Sequence, residues 1–182
     1  MALYGTAIPF TATFMVFSDF MKPALRLAAI QNLHVVNVFT HDSVFVGEDG
    51  PTHQPVEHLM MMRAIPGYTV LRPADSREVA QAWAVALAGN GPCAMALTRQ
   101  TVDNVPEELA DRIDVAKGAY VVSDDDNAEL LLIATGSELG PTLGTAEILR
   151  EKGHAVRVVS MPRWELFDAQ SAEYREQALP AA

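Results

Sequence analysis

A run rich in β-branched residues, His34-Val35-Val36-Asn37-Val38-Phe39, breaks off into sixteen residues, Thr40 to Pro55, that can continue neither a strand nor a helix. Two histidines, three acids, two glycines and two prolines fall within those sixteen. A strand that ends in such a segment delivers ionisable groups to its carboxyl end, where α/β proteins place their ligands. Composition permits this reading. About half of the 182 residues are hydrophobic, enough for a globular core. A net charge of −10 argues against a general nucleic-acid or anionic-membrane surface. One cysteine, Cys93, rules out an internal disulfide and fits a reducing compartment. No apolar run of transmembrane length and no basic-then-apolar leader is visible, so a soluble, cytoplasmic chain is expected.

Along the chain, strand and helix patterns alternate. Thr11 or Thr13 is expected to cap a helix from Phe14, with Phe14, Phe17, Met21, Leu25 and Ala28 on one face and Pro23 kinking or restarting it. After strand 34–39 and its loop, Val56 to Arg63 reads as a helix that Pro66-Gly67 ends. Tyr68 to Leu71 is a short strand, and Asp75 or Ser76 caps a helix carrying Val79, Trp83, Ala86 and Leu87. Cys93 to Leu97 is a strand that delivers Thr98-Arg99-Gln100. Such alternation implies a parallel sheet with helices on its faces.

Residues 101–117 carry acids and prolines around few large apolar side chains and read as a linker. It separates a first α/β domain, 1–100, from a second, 118–182. In the second, Ala119 to Val122 and Glu129 to Ala134 flank the acidic turn Ser123-Asp124-Asp125-Asp126-Asn127. A helix capped at Thr135 to Glu138 leads to strand Ala155 to Ser160. With about 65 residues the second domain falls short of the roughly 100 that cover both faces of a sheet, so both units are expected to be unfinished.

Several patterns have plain structural readings. His53 to His58 does not fit the His-Glu-x-x-His or His-x-x-Glu-His spacing of zinc proteases, and Pro55 interrupts it, so no metal ligands are assigned. The three aspartates at 124–126 lack the spaced ligands of a calcium loop and read as a solvated turn. Thr135 to Gly140 has no phosphate-loop spacing and reads as a helix cap. Cys93 reads as a buried small hydrophobe. Phe14, Phe17 and Phe20 fit a core face, but a planar cofactor ring could stack on the same side chains. His41, Asp49 and His53 are costly to bury, while sugar hydroxyls and phosphate call for imidazole donors and a carboxylate acceptor. Arg99, at a neighbouring strand end, suits a bidentate phosphate contact.

Thr40-His41-Asp42-Ser43 followed by Gly47-Glu48-Asp49-Gly50-Pro51-Thr52-His53-Gln54-Pro55 resembles the signature of the transketolase pyrimidine-binding domain. Phe10 to Phe20, Leu71 to Asp75, Leu97 to Gln100, Ile133 to Glu138 and Arg157 to Pro162 are similar to transketolase segments in the same order. Dihydroxyacetone synthase is the nearest competitor. The resemblance implies an N-terminally incomplete pyrimidine domain binding thiamine diphosphate, then a truncated C-terminal domain. It implies Phe17 stacked on the aminopyrimidine with Phe14 and Phe20 beside it. His53 would lie near the reacting carbon, Asp49 would read donor stereochemistry, and His41 with Arg99 would hold sugar phosphate; His41 and His53 are the implied catalytic pair. The implied reaction moves a two-carbon ketol unit between phosphosugars of the pentose phosphate pathway. It also implies a homodimer, or here a separate N-terminal chain.

The departures shape the expectation. Phe20 stands where many relatives have tyrosine, and Arg163 where a small residue is common. No residue matches the family's cofactor-activating glutamate, and the magnesium- and diphosphate-binding half is missing. The isolated chain is therefore expected to be inactive, either a part of a split transketolase or a non-catalytic remnant.

Overall fold

A computed structural model describes residues 1–180, which divide into two compact units. The first comprises Met1–Arg72 and Ala82–Thr101, and the second Pro73–Gln81 with the residues from Val102 onward. Residues 102–117 thus group with the second unit, and they hold two short 3-10 segments, Glu107–Arg112 and Val115–Lys117. No described helix is long and apolar enough to cross a membrane.

Four parallel strands build the first unit: β1 (Phe10–Phe14), β2 (Val36–Thr40), β3 (Thr69–Leu71) and β4 (Cys93–Ala96), in the order β1-β2-β4-β3. Val36 pairs with Phe10 on one side and Cys93 on the other, so β2 and β4 run through the middle. Their apolar runs are buried because parallel sheets are covered on both faces. Asn37 is the polar exception within β2. It accepts from Thr11 Oγ1 at 2.8 Å and donates to Tyr68 Oη at 3.0 Å, which offsets the cost of burying an amide. The core gathers Met15, Leu25, Phe39, Met62, Ile65, Tyr68, Val70, Ala94 and Ala96. Helices α1 (Ser18–Ile30) and α2 (His58–Arg63) supply Leu25 and Met62 to it.

Strand β1 corrects the expected helix start at Phe14. Phe10-Thr11-Ala12-Thr13-Phe14 is extended, a 3-10 turn covers Met15–Phe17, and α1 follows. Phenylalanines at helical spacing concealed an edge strand whose first three residues are exposed and carry no alternation of burial. Pro23 neither ends nor restarts α1, which runs through it with the proline on the exposed side. Only one backbone donor is lost there.

Helix α3 (Ser76–Ala88) begins in the second unit. Asp75 caps it as expected, with Oδ1 accepting from the Glu78 amide at 2.9 Å. Its other oxygen accepts from Val105 N at 2.8 Å. Glu78 is fully buried in the same unit. Its carboxyl accepts from Ala74 N at 2.7 Å, Ser160 Oγ at 2.5 Å and the Tyr120 hydroxyl. Burial pushes the Glu78 carboxyl above its ordinary range, against the pull of the Ser160, Tyr120 and Ala74 donors. The Tyr120 hydroxyl is raised by burial and then by the neighbouring Glu78 charge.

The second sheet has three strands, β5 (Tyr120–Ser123), β6 (Leu130–Ala134) and β7 (Val156–Ser160), in the order β5-β7-β6. Strands β6 and β7 are parallel and joined by α4 (Leu139–Glu151), the expected βαβ unit, whereas β5 is antiparallel to β7. The Thr135 side chain makes no cap hydrogen bond; a 3-10 turn over Gly136–Glu138 opens α4 instead. Two short helices, α5 (Trp164–Asp168) and α6 (Ala172–Ala178), pack Phe167 and Ala178 onto Ala119 and Val159.

The acidic turn is ion-paired rather than merely solvated. Arg157 Nε and Nη2 each lie 2.8 Å from an Asp124 oxygen. Asp125 Oδ2 accepts from Arg150 Nε at 2.7 Å and Val156 N at 2.9 Å, and these bonds, the arginine first, hold its carboxyl below the usual range.

Candidate functional site

In a parallel sheet every strand's carboxyl end opens at the same edge. In the first unit that edge presents Phe14 as the last residue of β1, His41 after β2, Arg72 after β3 and Arg99 after β4. His41 turns off β2 with φ +58°, a left-handed conformation uncommon for a side chain of its size. Farther along, Gly47 and Gly50 have φ +86° and +78°, turns that a Cβ would strain, and a 3-10 turn over Pro51–His53 brings the chain back.

The returning loop closes an aromatic cluster. The His41 ring stacks on Phe14 with centroids 3.7 Å apart and planes 22° apart. Phe14 and Phe17 are nearly parallel at 6.0 Å and 13°. His53 points its edge at Phe17 from 5.3 Å and at Phe14 from 6.4 Å. Phe20 reaches Phe17 at 6.4 Å but is 84% exposed. Phe14, Phe17, His41 and His53 are half-buried, so rings that a pure core role would cover keep a face open.

Each imidazole has a threonine hydroxyl at one nitrogen. Thr40 Oγ1 lies 3.0 Å from His41 Nδ1, and Thr52 Oγ1 lies 2.9 Å from His53 Nδ1. Occupying Nδ1 leaves Nε2 as the nitrogen available to a ligand. Sequence reasoning missed both hydroxyls; the signal available was a threonine directly before each histidine.

Asp49 and Arg99 stand outside the ring cluster. Asp49 is exposed on the loop between Gly47 and Gly50. The exposed Arg99 lays its guanidinium against Gly47, where an added Cβ would sit 3.4 Å from Cζ. A second missed feature braces the loop. Asp42, next to His41, is buried with Oδ2 2.7 Å from Arg72 Nε. The pair links segments after β2 and β3, which are not neighbours because β4 lies between them.

An aromatic stack, two oriented imidazoles, a carboxylate and a guanidinium thus stand along one sheet edge, groups whose chemistry suits rings, hydroxyls and anions. Residues 1–104 match the family model described as transketolase, pyrimidine binding domain, and residues 118–182 match the transketolase-like TK C-terminal domain. The transketolase of Halalkalibacterium halodurans is 50% identical over 185 residues, covering 100% of this chain and 28% of that protein. A crystal structure of transketolase from Campylobacter jejuni superposes with a TM-score of 0.90 at 43% identity, over 98% of this chain and 28% of its own. A solved split-gene transketolase, described as an inactive beta4 tetramer, superposes with a TM-score of 0.77 at 25% identity, over 97% of this chain and 56% of its own.

The chain belongs to the transketolase family, whose members are transferases, and thiamine diphosphate is the cofactor that the family implies. It spans 28% of the length of the curated relatives it matches.

Proposed function

We propose that this chain forms the substrate-facing part of a transketolase site, which transfers a two-carbon ketol unit from a ketose phosphate to an aldose phosphate, and that by itself it does not turn over. The observation that carries the reading is the cluster in which His53 sets its edge against the parallel Phe14 and Phe17 rings while His41 stacks on Phe14.

The half-buried, near-parallel Phe14 and Phe17 fit a planar heteroaromatic ring, which supports Phe17 as the stacking partner with Phe14 and Phe20 flanking it. When bound, thiamine diphosphate supplies the nucleophilic carbon and the electron sink that let a ketose carbon–carbon bond break. The chain's own groups orient the sugar. His53, with Nδ1 engaged by Thr52, turns Nε2 to substrate hydroxyls and carries a proton near the reacting carbon. Asp49 accepts from the hydroxyl that distinguishes donor ketoses, and His41 with Arg99 grips the phosphate. The family's magnesium and the diphosphate grip belong to the portion of its relatives that this chain does not span. The two-domain assignment, 1–100 and 118–182 joined by 101–117, is part of the same reading.

A second reading has a specific observation in its favour. The split-gene relative, 56% of which this chain covers, is described as an inactive beta4 tetramer, which supports this chain as a subunit completed by a separate chain rather than a remnant. Either way the proposal predicts no turnover of xylulose 5-phosphate and ribose 5-phosphate by the purified chain with thiamine diphosphate and magnesium. Turnover by the chain alone would overturn the claim of inactivity. Mixing with the N-terminal half of a transketolase tests the subunit reading, and failure to restore activity would favour a remnant.

A further inference from the structure

His58 is the first residue of α2 and is 3% exposed, yet neither of its ring nitrogens has a hydrogen-bond partner. A buried imidazole left this way is costly, and such groups call for an explanation. Two carboxylates face it. Asp19, in the first turn of α1, has Oδ1 3.3 Å from His58 Nε2, and Glu57 has Oε2 3.9 Å from Nδ1. One ligand atom from each of the three lies within 4.8 Å of the others.

We propose that Asp19, Glu57 and His58 bind a single divalent transition-metal ion of the zinc(II) and cobalt(II) class. Asp19 faces Nε2 and Glu57 faces Nδ1, and neither contact has hydrogen-bond geometry. A cation answers all three ligands together. Tetrahedral ligands about 2.1 Å from a metal stand about 3.4 Å apart, and the Asp19 to His58 separation is 3.3 Å. Asp19 and Glu57 are exposed enough to rotate into place, their side chains being 57% and 72% accessible, while packing fixes His58. One imidazole and two carboxylates suit zinc or cobalt, and leave a coordination position for solvent.

This donor set differs from the zinc-protease pattern that the sequence excludes. His53 takes no part, and the third ligand comes from a helix 38 positions earlier than Glu57 in the chain. The ion would clamp the start of α1, just past Phe17, to the start of α2, just past the loop that carries His53. The site rests on one unit of this chain and does not depend on the proposed transfer reaction.

The test is metal binding by the full chain after chelator treatment, by zinc competition against a chromophoric chelator and by cobalt absorption. The expected result is one equivalent per chain, visible d–d bands of a four- or five-coordinate ion, and a raised melting temperature with zinc. Loss of an outer-shell partner already weakens metal sites roughly 10- to 100-fold, so Asp19→Asn and Glu57→Gln should each weaken binding by roughly tenfold or more. Both residues are exposed, so these variants keep the fold, which circular dichroism verifies, whereas His58→Gln alters a buried position and serves only as a supplement. His53→Ala and His154→Ala should leave the affinity unchanged. Absence of one-equivalent binding, wild-type affinity in both acidic variants, or loss of binding in His53→Ala overturns the proposal.

Discussion

Arg72 Nε lies 2.7 Å from Asp42 Oδ2, and both side chains are almost wholly buried, at 6% and 1% accessible. The pair joins the backbone beside His41 to the end of β3. Removing one partner of such a pair leaves an uncompensated charge in a low-dielectric setting, which costs about 3–5 kcal/mol. Arg72→Met is therefore expected to lower the unfolding free energy extrapolated from urea titration by that amount or to abolish folding. Asp42→Asn keeps an acceptor and should cost less, about 1–3 kcal/mol. An extrapolated unfolding free energy for Arg72→Met within about 1 kcal/mol of wild type would show that the pair does not brace the loop.

Glu78 gives stability a pH dependence of definite sign. Its folded carboxyl is raised above the ordinary value of 4.5, so its contribution is fully present below that pH and is lost as pH rises through the folded value. Asp125 works oppositely: its depressed carboxyl contributes above 3.8 and loses that contribution as pH falls. Denaturation of wild type and Glu78→Gln from pH 4.5 upward separates the two. The glutamine retains a carbonyl for Ala74 N and an amide for the Ser160 and Tyr120 oxygens, and it should flatten the decline toward neutral pH. An unchanged slope in Glu78→Gln would assign the decline to other groups.

Much of this arrangement is legible in the sequence, and the parts that are not share a physical cause. Helix α3 and strands β2 and β4 were readable because burial on a whole face leaves an unbroken apolar or periodic pattern. Strand β1 was not, since an edge strand exposes much of its length and its phenylalanines mimic helical spacing. Ligand-type residues in the loop from Thr40 to Pro55 could be named from chemistry, and the structure brings His41 and His53 to the phenylalanines. Asp42 with Arg72, and Asp19 with His58, were invisible because each pairs side chains 30 or more positions apart through a topology that no local pattern encodes.

Gly118 sits at φ +81° where the chain enters β5, with Arg163 N donating to its carbonyl at 3.0 Å. A Cβ there would collide with Phe167 N, Arg163 O and Leu166 Cβ, mostly backbone that cannot rotate away. Gly118→Ala combines left-handed strain with overpacking and should cost about 2–4 kcal/mol. Thermal denaturation measures this directly. Gly140→Ala, with open space around its Cβ inside α4, is the matched control and should be neutral or stabilising. Equal melting temperatures for the two variants would refute the steric argument.

Arg99 carries the phosphate role proposed above, and that role separates from general sugar binding in a simple experiment. Its guanidinium rests on Gly47, beside the loop that holds Asp49, and the residue is exposed, so Arg99→Ala removes charge without opening a core cavity. A hydrogen bond to a charged group contributes about 1.5–3 kcal/mol, which is roughly ten- to hundredfold in affinity. Ligand-observed NMR of the chain with ribose 5-phosphate and with ribose should show the phosphorylated sugar weakened by that factor in Arg99→Ala and the free sugar unaffected. Asp49→Asn should instead weaken both sugars alike, because it meets hydroxyls rather than phosphate. If Arg99→Ala weakens the two sugars equally, Arg99 shapes the loop through Gly47 and does not hold the phosphate.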